Sequence, residues 1–194
     1  MTMKKSRCVT GLAKLFFYLR MSLACAWRFR SPRVLLCASK FTGIFFRHRL
    51  LRLPSGEYKL DFYMPRYPSE AFFLAMEDKV LHRPPRPVSV VLSVTKACAY
   101  HCPHCYQRRD PSEELPLETL VENVRKMREF GVVAWAVEGG EPLLRFERLR
   151  AVLRELSGLE VWVNSTGFSA APDKIAAMAE LGVTGVMSSI HAVD

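Results

Sequence analysis

The first 56 residues contain no aspartate and no glutamate. They hold 12 of the chain's 28 lysines and arginines, while residues 57–194 hold the other 16 and all 19 acidic residues. The net charge of +9 is therefore +12 in the arm and −3 beyond it. That split excludes a uniformly basic nucleic-acid-binding fold. No motif interleaves aromatic and basic residues, so no nucleic acid is expected as a partner. Cysteine is also sparse. Cys8, Cys25 and Cys37 are scattered in the arm, and Cys98, Cys102 and Cys105 are clustered. Six thiols placed so irregularly do not make a secreted disulfide framework. A long uncharged apolar run is missing too, because Lys14 and Arg20 interrupt the best stretch, residues 11–29. The same charges spoil a signal-peptide core, although Lys4, Lys5 and Arg7 precede it and Ala24-Cys25-Ala26 resembles a cleavage site.

What is present suffices for a packed domain plus an extension: 194 residues, 49% of them hydrophobic. Leu12, Leu15, Phe16, Leu19, Leu23, Ala26 and Trp27 recur near helical spacing. Two readings stand: a basic amphipathic helix on an anionic membrane surface, or a helix packed on the protein with its arginines in water. Tyr58, Leu60, Phe62 and Met64 alternate with more polar neighbours, which predicts a strand ending at Pro65. Ser69 is placed to cap a helix from Glu70 to Leu81. Pro84, Pro85 and Pro87 make an extended connector. These features divide the chain into a basic arm (1–56), a strand–helix segment with its connector (57–87) and a core domain (88–194).

Beyond the connector the pattern becomes regular. Apolar runs at Val88–Thr95, Val132–Val137, Leu159–Val163 and Val183–Ile190 predict four strands. Helical spacing predicts three helices between them. The first starts at Pro116 and stops at Gly131, the second carries Leu144 to Leu156, and the third runs from Pro172 to Gly182. Strand–helix alternation implies right-handed crossovers and a parallel sheet. Ligands of such sheets sit at the carboxyl ends of the strands. Each polar motif follows a strand: Cys98–Cys105, Glu138–Pro142, Asn164–Gly167, and Ser188, Ser189 and His191.

The run Cys98-Ala99-Tyr100-His101-Cys102-Pro103-His104-Cys105-Tyr106 offers three thiols on one loop at C-x3-C-x2-C spacing. A structural zinc site wants four closed ligands. Three suit a [4Fe–4S] cluster with one iron left open to a small molecule. His104 is read as a shielding neighbour, and a zinc site using His101 or His104 is the alternative. Such thiolates require a reducing compartment, so the chain is read as cytoplasmic, with a peripheral membrane contact through the arm as an option. Gly139-Gly140-Glu141-Pro142 is a tight turn whose glycines let backbone come close to a ligand. Glu141 adds a carboxylate suited to an ammonium group. Asn164 and Ser189 either touch a ligand or end their strands.

C-x3-C-x2-C after the first strand, with Gly-Gly-Glu-Pro after the second, resembles the radical S-adenosylmethionine (SAM) superfamily over residues 88–194. Cys102-Pro103-His104-Cys105-Tyr106 resembles the branch of peptide-modifying maturases that carry a C-terminal extra-cluster domain. The resemblance implies an α/β fold, a partial (β/α) barrel of six strands. It implies that Cys98, Cys102 and Cys105 hold the [4Fe–4S] cluster and that SAM chelates its open iron. It places Gly139, Gly140 and Glu141 at the SAM amino group, with Asn164 and Ser189 beside the cofactor. It implies reductive cleavage of SAM to a 5′-deoxyadenosyl radical, which takes hydrogen from a peptide or small-molecule substrate. A reductant such as ferredoxin or flavodoxin is implied as well. Two features depart from the family pattern. Glu138 stands where a small residue is usual, and the chain stops after the fourth strand. The second implies a fragment, or a partner that supplies the remaining strands. The alternatives are a non-catalytic iron–sulfur or zinc-binding module, and a membrane-surface protein acting through its arm.

Overall fold

The computed structural model describes residues 6–31, 34, 47–61, 64–81, 87–110 and 112–190. Pro32, Cys37, Gly43, Phe62, Pro84, Pro85 and His191 lie outside them. The chain forms two compact units, Met1–Val88 and Ser89–Asp194.

The first unit contains β1 (Arg7–Val9), α1 (Gly11–Phe29), β2 (Leu50–Arg52), β3 (Tyr58–Lys59) and α2 (Glu70–Leu81). The three strands pair antiparallel in the order β1-β2-β3. The expected division at residue 56 falls between two paired strands, β2 and β3. The strand expected over Tyr58–Met64 is shorter than its alternation suggests. The chain turns back so that Tyr67 exchanges backbone hydrogen bonds with Tyr58, at 2.7 and 2.8 Å. Leu60 and Met64 are buried all the same. Ser69 caps α2 by accepting from the Phe72 amide at 3.1 Å. α1 buries Phe17, Tyr18, Met21 and Cys25 among Leu50, Leu60, Tyr67 and Phe72. Lys14 joins that buried face and donates to the His48 carbonyl at 2.7 Å. Its aliphatic stem packs while the charged head finds an acceptor, so it does not interrupt the helix. No helix among the described residues is long and apolar enough to cross a membrane.

The second unit alternates β4 (Ser89–Ser93), α3 (Leu117–Glu129), β5 (Ala134–Glu138), α4 (Phe146–Glu155), β6 (Glu160–Ser165), α5 (Pro172–Glu180) and β7 (Gly185–Ser188). The strands form one parallel sheet in sequence order, β4-β5-β6-β7. This is a mixed α/β unit with a four-stranded parallel sheet, compatible with a partial barrel. α3 and α5 end alike. Gly131 and Gly182 take positive φ, 107° and 80°, and donate to the carbonyls of Arg128 and Ala179. The following Val132 and Val183 donate to Met127 and Met178, which completes a Schellman stop and aims the chain into the next strand.

Strand period 2 sorts the side chains. Leu92, Trp135, Val137, Val161 and Val163 share one core with Leu120 and Val124 of α3 and Leu149, Val152 and Leu153 of α4. Full burial of each such side chain contributes roughly 1.5–3 kcal/mol. The opposite face carries Ser93 beside Glu138 in register, and Asn164 beside Met187. That polar row near the strand ends is where the site is built.

Candidate functional site

The three thiols lie on irregular backbone between β4 and a short 3-10 turn, Tyr106–Arg109. Each is half-buried and in no disulfide. The Cys105 amide donates to the Cys102 carbonyl at 3.1 Å, and the Tyr100 amide reaches Cys98 Sγ at 3.4 Å. His101 and His104 are exposed.

Residues beyond the motif hold this loop. Glu114 accepts from Thr95 Oγ1 and the Lys96 amide, both at 2.7 Å. Arg148 of α4 donates to the carbonyls of Val94 and Leu115 and lies 3.4 Å from Glu114. At the far end Lys96 pairs with Asp110 at 3.1 Å. Hydrogen bonds from Ser112, with Lys96, hold the Asp110 carboxyl down at about 2. It is therefore ionised at neutral pH.

The glycine turn is zipped to the start of the cysteine loop. The Val94 amide donates to Glu138, Gly140 donates to the Thr95 carbonyl, and Glu141 donates to the Ala97 carbonyl, at 2.7–2.8 Å. A β-carbon on Gly139 would sit 2.5 Å from the Thr95 carbonyl oxygen. One on Gly140 would sit 2.4 Å from that of Ala97. The paired glycines make room for neighbouring backbone, and so join the two motifs into one rim.

Glu141 is fully buried. Its carboxylate accepts from the Leu143 amide at 3.1 Å, Ser165 Oγ at 2.7 Å, the Thr166 amide at 2.8 Å and Thr166 Oγ1 at 2.6 Å. A carboxylate offers about four acceptor positions. All four donors come from protein, so this side chain staples the β5 turn to the end of β6.

Beside it lies a cavity of about 200 Å³. Glu138, Gly139, Gly140, Asn164, Thr166 and Ser189 are among its lining residues; Glu141 is not. Glu138 accepts from the Tyr106 hydroxyl and from Asn164 Nδ2, the latter at 3.1 Å. Burial, then the bond to Glu138, raises the Tyr106 hydroxyl above its usual pKa, so it remains a donor. Gln107 donates to Ser93 Oγ at 2.9 Å and to the Tyr106 hydroxyl at 3.2 Å. On the outer side Tyr100 meets Phe168 edge-on, with ring centroids 5.7 Å apart.

The donor set, three free thiols on one loop, is one that an iron–sulfur cluster can use. A closed zinc site needs its ligands about 2.3 Å from one point. Among the described residues no three His, Cys, Asp or Glu side chains converge that way. Cluster thiolates each take a separate iron, and an amide donating to sulfur, as Tyr100 does to Cys98, is a usual tuning element.

The predicted residues thus fall into groups. Cys98, Cys102 and Cys105 share one loop. Gly139, Gly140, Asn164 and Ser189 line the cavity, and Glu141 supports it from behind. Sequence reasoning names Tyr106 only as part of the cysteine run and does not single out Gln107, Glu114, Arg148 or Phe168. Only Glu138 had drawn notice, as a departure from pattern. Nothing in local spacing links these residues.

The family model described as the radical SAM superfamily matches residues 92–194. A probable GTP 3′,8-cyclase of Archaeoglobus fulgidus is 41% identical over 56 residues, 28% of this chain and 19% of the relative. A PqqA peptide cyclase of Streptomyces rochei is 30% identical over 115 residues, 56% of this chain and 31% of the relative. The chain thus matches under a third of either relative's length. No solved structure matches significantly.

Proposed function

The chain belongs to the radical SAM superfamily, and from that premise we propose that Cys98, Cys102 and Cys105 hold a [4Fe–4S] cluster and that the adjoining cavity receives SAM. Members of this family use both cofactors. When bound, a reduced cluster supplies the electron that cleaves SAM to methionine and a 5′-deoxyadenosyl radical.

The reading rests above all on the backbone zipper between Val94–Ala97 and Glu138–Glu141, which ties the start of the thiol loop to the turn that lines the cavity. In it the three thiolates bind iron and the Tyr100 amide tunes Cys98. Glu141 keeps the rim rigid through its four donors. Gly139, Gly140, Asn164 and Ser189 present polar groups to the cofactor. Tyr100 and Phe168 join the cysteine loop to the segment after β6 through their edge-on ring contact. The substrate we propose is a peptide, since the relative matched over the longer stretch is a peptide cyclase. A low-potential protein such as ferredoxin or flavodoxin would supply electrons.

Anaerobic reconstitution with iron and sulfide, then SAM and dithionite, tests the activity. Formation of 5′-deoxyadenosine is expected. A stable cluster that yields none would instead favour a non-catalytic iron–sulfur module.

A second reading concerns the first unit, and one observation favours it. Leu12, Phe16, Leu19, Leu23 and Trp27 of α1 are 54–88% exposed. They recur every three or four residues, on a helix whose Arg20 and Arg28 are also exposed. That combination suits a peripheral contact with an anionic bilayer. The full chain is expected to sediment with vesicles containing phosphatidylserine, and Leu19→Glu with Trp27→Glu should abolish this. Equal recovery with neutral vesicles would remove the electrostatic part of the idea.

A further inference from the structure

We propose that Glu138, and not the motif carboxylate Glu141, is the anionic contact for the cationic methionine end of SAM. The proposal rests on reading the cavity as the SAM site and names a residue outside the motifs that identify it. Three observations lead there.

Glu141 has no acceptor position left, because four protein donors occupy its two oxygens. Among the described residues Glu138 is the only charged one lining the cavity; the other lining residues are Gly, Asn, Ser, Thr and Met. Both its hydrogen bonds come from neutral donors, Tyr106 and Asn164. Two acceptor positions therefore remain, and among the described residues no ion pair compensates the negative charge. A partly buried carboxylate in that state favours a cation. Finally, Asn164 Oδ1 is buried and without a hydrogen-bond partner. Its Nδ2 is committed to Glu138, which fixes the amide so that Oδ1 remains a second unused acceptor. A buried acceptor left unmade is costly, and a ligand N–H would satisfy it.

The corner made by Glu138 and Asn164 thus offers acceptors and negative charge. The adenosine end of SAM is neutral. The methionine end carries the sulfonium and an amine that remains an N–H donor. Its carboxylate is repelled by Glu138 and must point away. Tyr106 and Asn164 hold the Glu138 carboxylate from two different elements, the cysteine loop and β6. Glu138 therefore orients the cofactor relative to the thiols as well as attracting it.

Glu138→Gln is nearly isosteric and can keep hydrogen bonds to both neighbours while losing the charge. In the reconstituted protein, affinities are measured by calorimetry for SAM, for S-adenosylhomocysteine (amine without sulfonium) and for 5′-methylthioadenosine (neither). Iron content and circular dichroism are followed alongside. The expected result is about a ten-fold or greater loss of SAM affinity, as for a charge-assisted contact, with 5′-methylthioadenosine and iron unchanged. A parallel loss for S-adenosylhomocysteine assigns the contact to the amine. Loss for SAM alone assigns it to the sulfonium. Glu138→Asp should recover part of the affinity, which a purely steric role would not produce. Unchanged SAM binding, or an equal loss for all three compounds, overturns the proposal. If the wild-type protein carries a cluster but binds no SAM, the reading of the cavity fails first.

Discussion

Cys102→Ala is expected to strip the reconstituted protein of its iron. The loop offers three thiolates and no fourth, so removing one leaves two ligands for a cluster that needs every anchor. Cys25 is no substitute. Burial pushes the Cys25 thiol up to about 11, which keeps it protonated, and the ligand form is the thiolate. The cluster-free fold should barely notice the change. Cys102 takes part in the loop through its carbonyl, which alanine retains, and a half-buried side chain outside the core is worth within about 0.5 kcal/mol. Iron and sulfide per chain, with the visible charge-transfer absorption, give the answer. Iron retained at the wild-type level would show that the thiols are not the ligands.

Glu141→Ala is expected to be the most destabilising single change at the rim, by about 3–5 kcal/mol. It leaves two backbone amides, Leu143 and Thr166, and two hydroxyls, Ser165 and Thr166, without their acceptor inside a closed site. It also empties the volume of a fully buried side chain. Glutamine would not rescue it fully, because at either oxygen position its amide nitrogen would face a backbone N–H, that of Leu143 or of Thr166. Since the chain has two units, one unfolding curve would mix them. Hydrogen exchange at Leu143 and Thr166, read against urea, isolates the effect. Protection that falls by less than about 1 kcal/mol would mean that the staple does not hold the rim.

The alternation after residue 88 was legible because covalent geometry imposes it. A strand buried on one face must repeat every second residue, and a helix stop needs a residue that tolerates positive φ. Gly131 and Gly182 stand where that need arises. Other features were legible only in outline. Tyr58–Met64 reads as one strand, yet the pairing of Tyr58 with Tyr67 cuts it short. Lys14 reads as a break in a helical face, yet a carbonyl 34 residues away satisfies its charge. Gly139 and Gly140 read as room for a ligand; they line the cavity, and their missing β-carbons also make room for the backbone of Thr95 and Ala97.

By itself the sequence determined the thiol triad, its position after a strand, the order of strands and helices, and the presence of a glycine turn one strand later. These follow from spacing along the chain, which folding does not alter. Only the tertiary structure decided which carboxylate lines the cavity and which is enclosed by protein donors. The strand period continues to Glu138 and leaves it on the helix-free face, over the cavity. The turn then reverses direction and drives Glu141 inward, where Ser165 and Thr166, 24 and 25 residues away, consume its acceptors. Two glutamates three residues apart thus acquire different surroundings. The partners that separate them come from strands that meet only when the sheet is assembled.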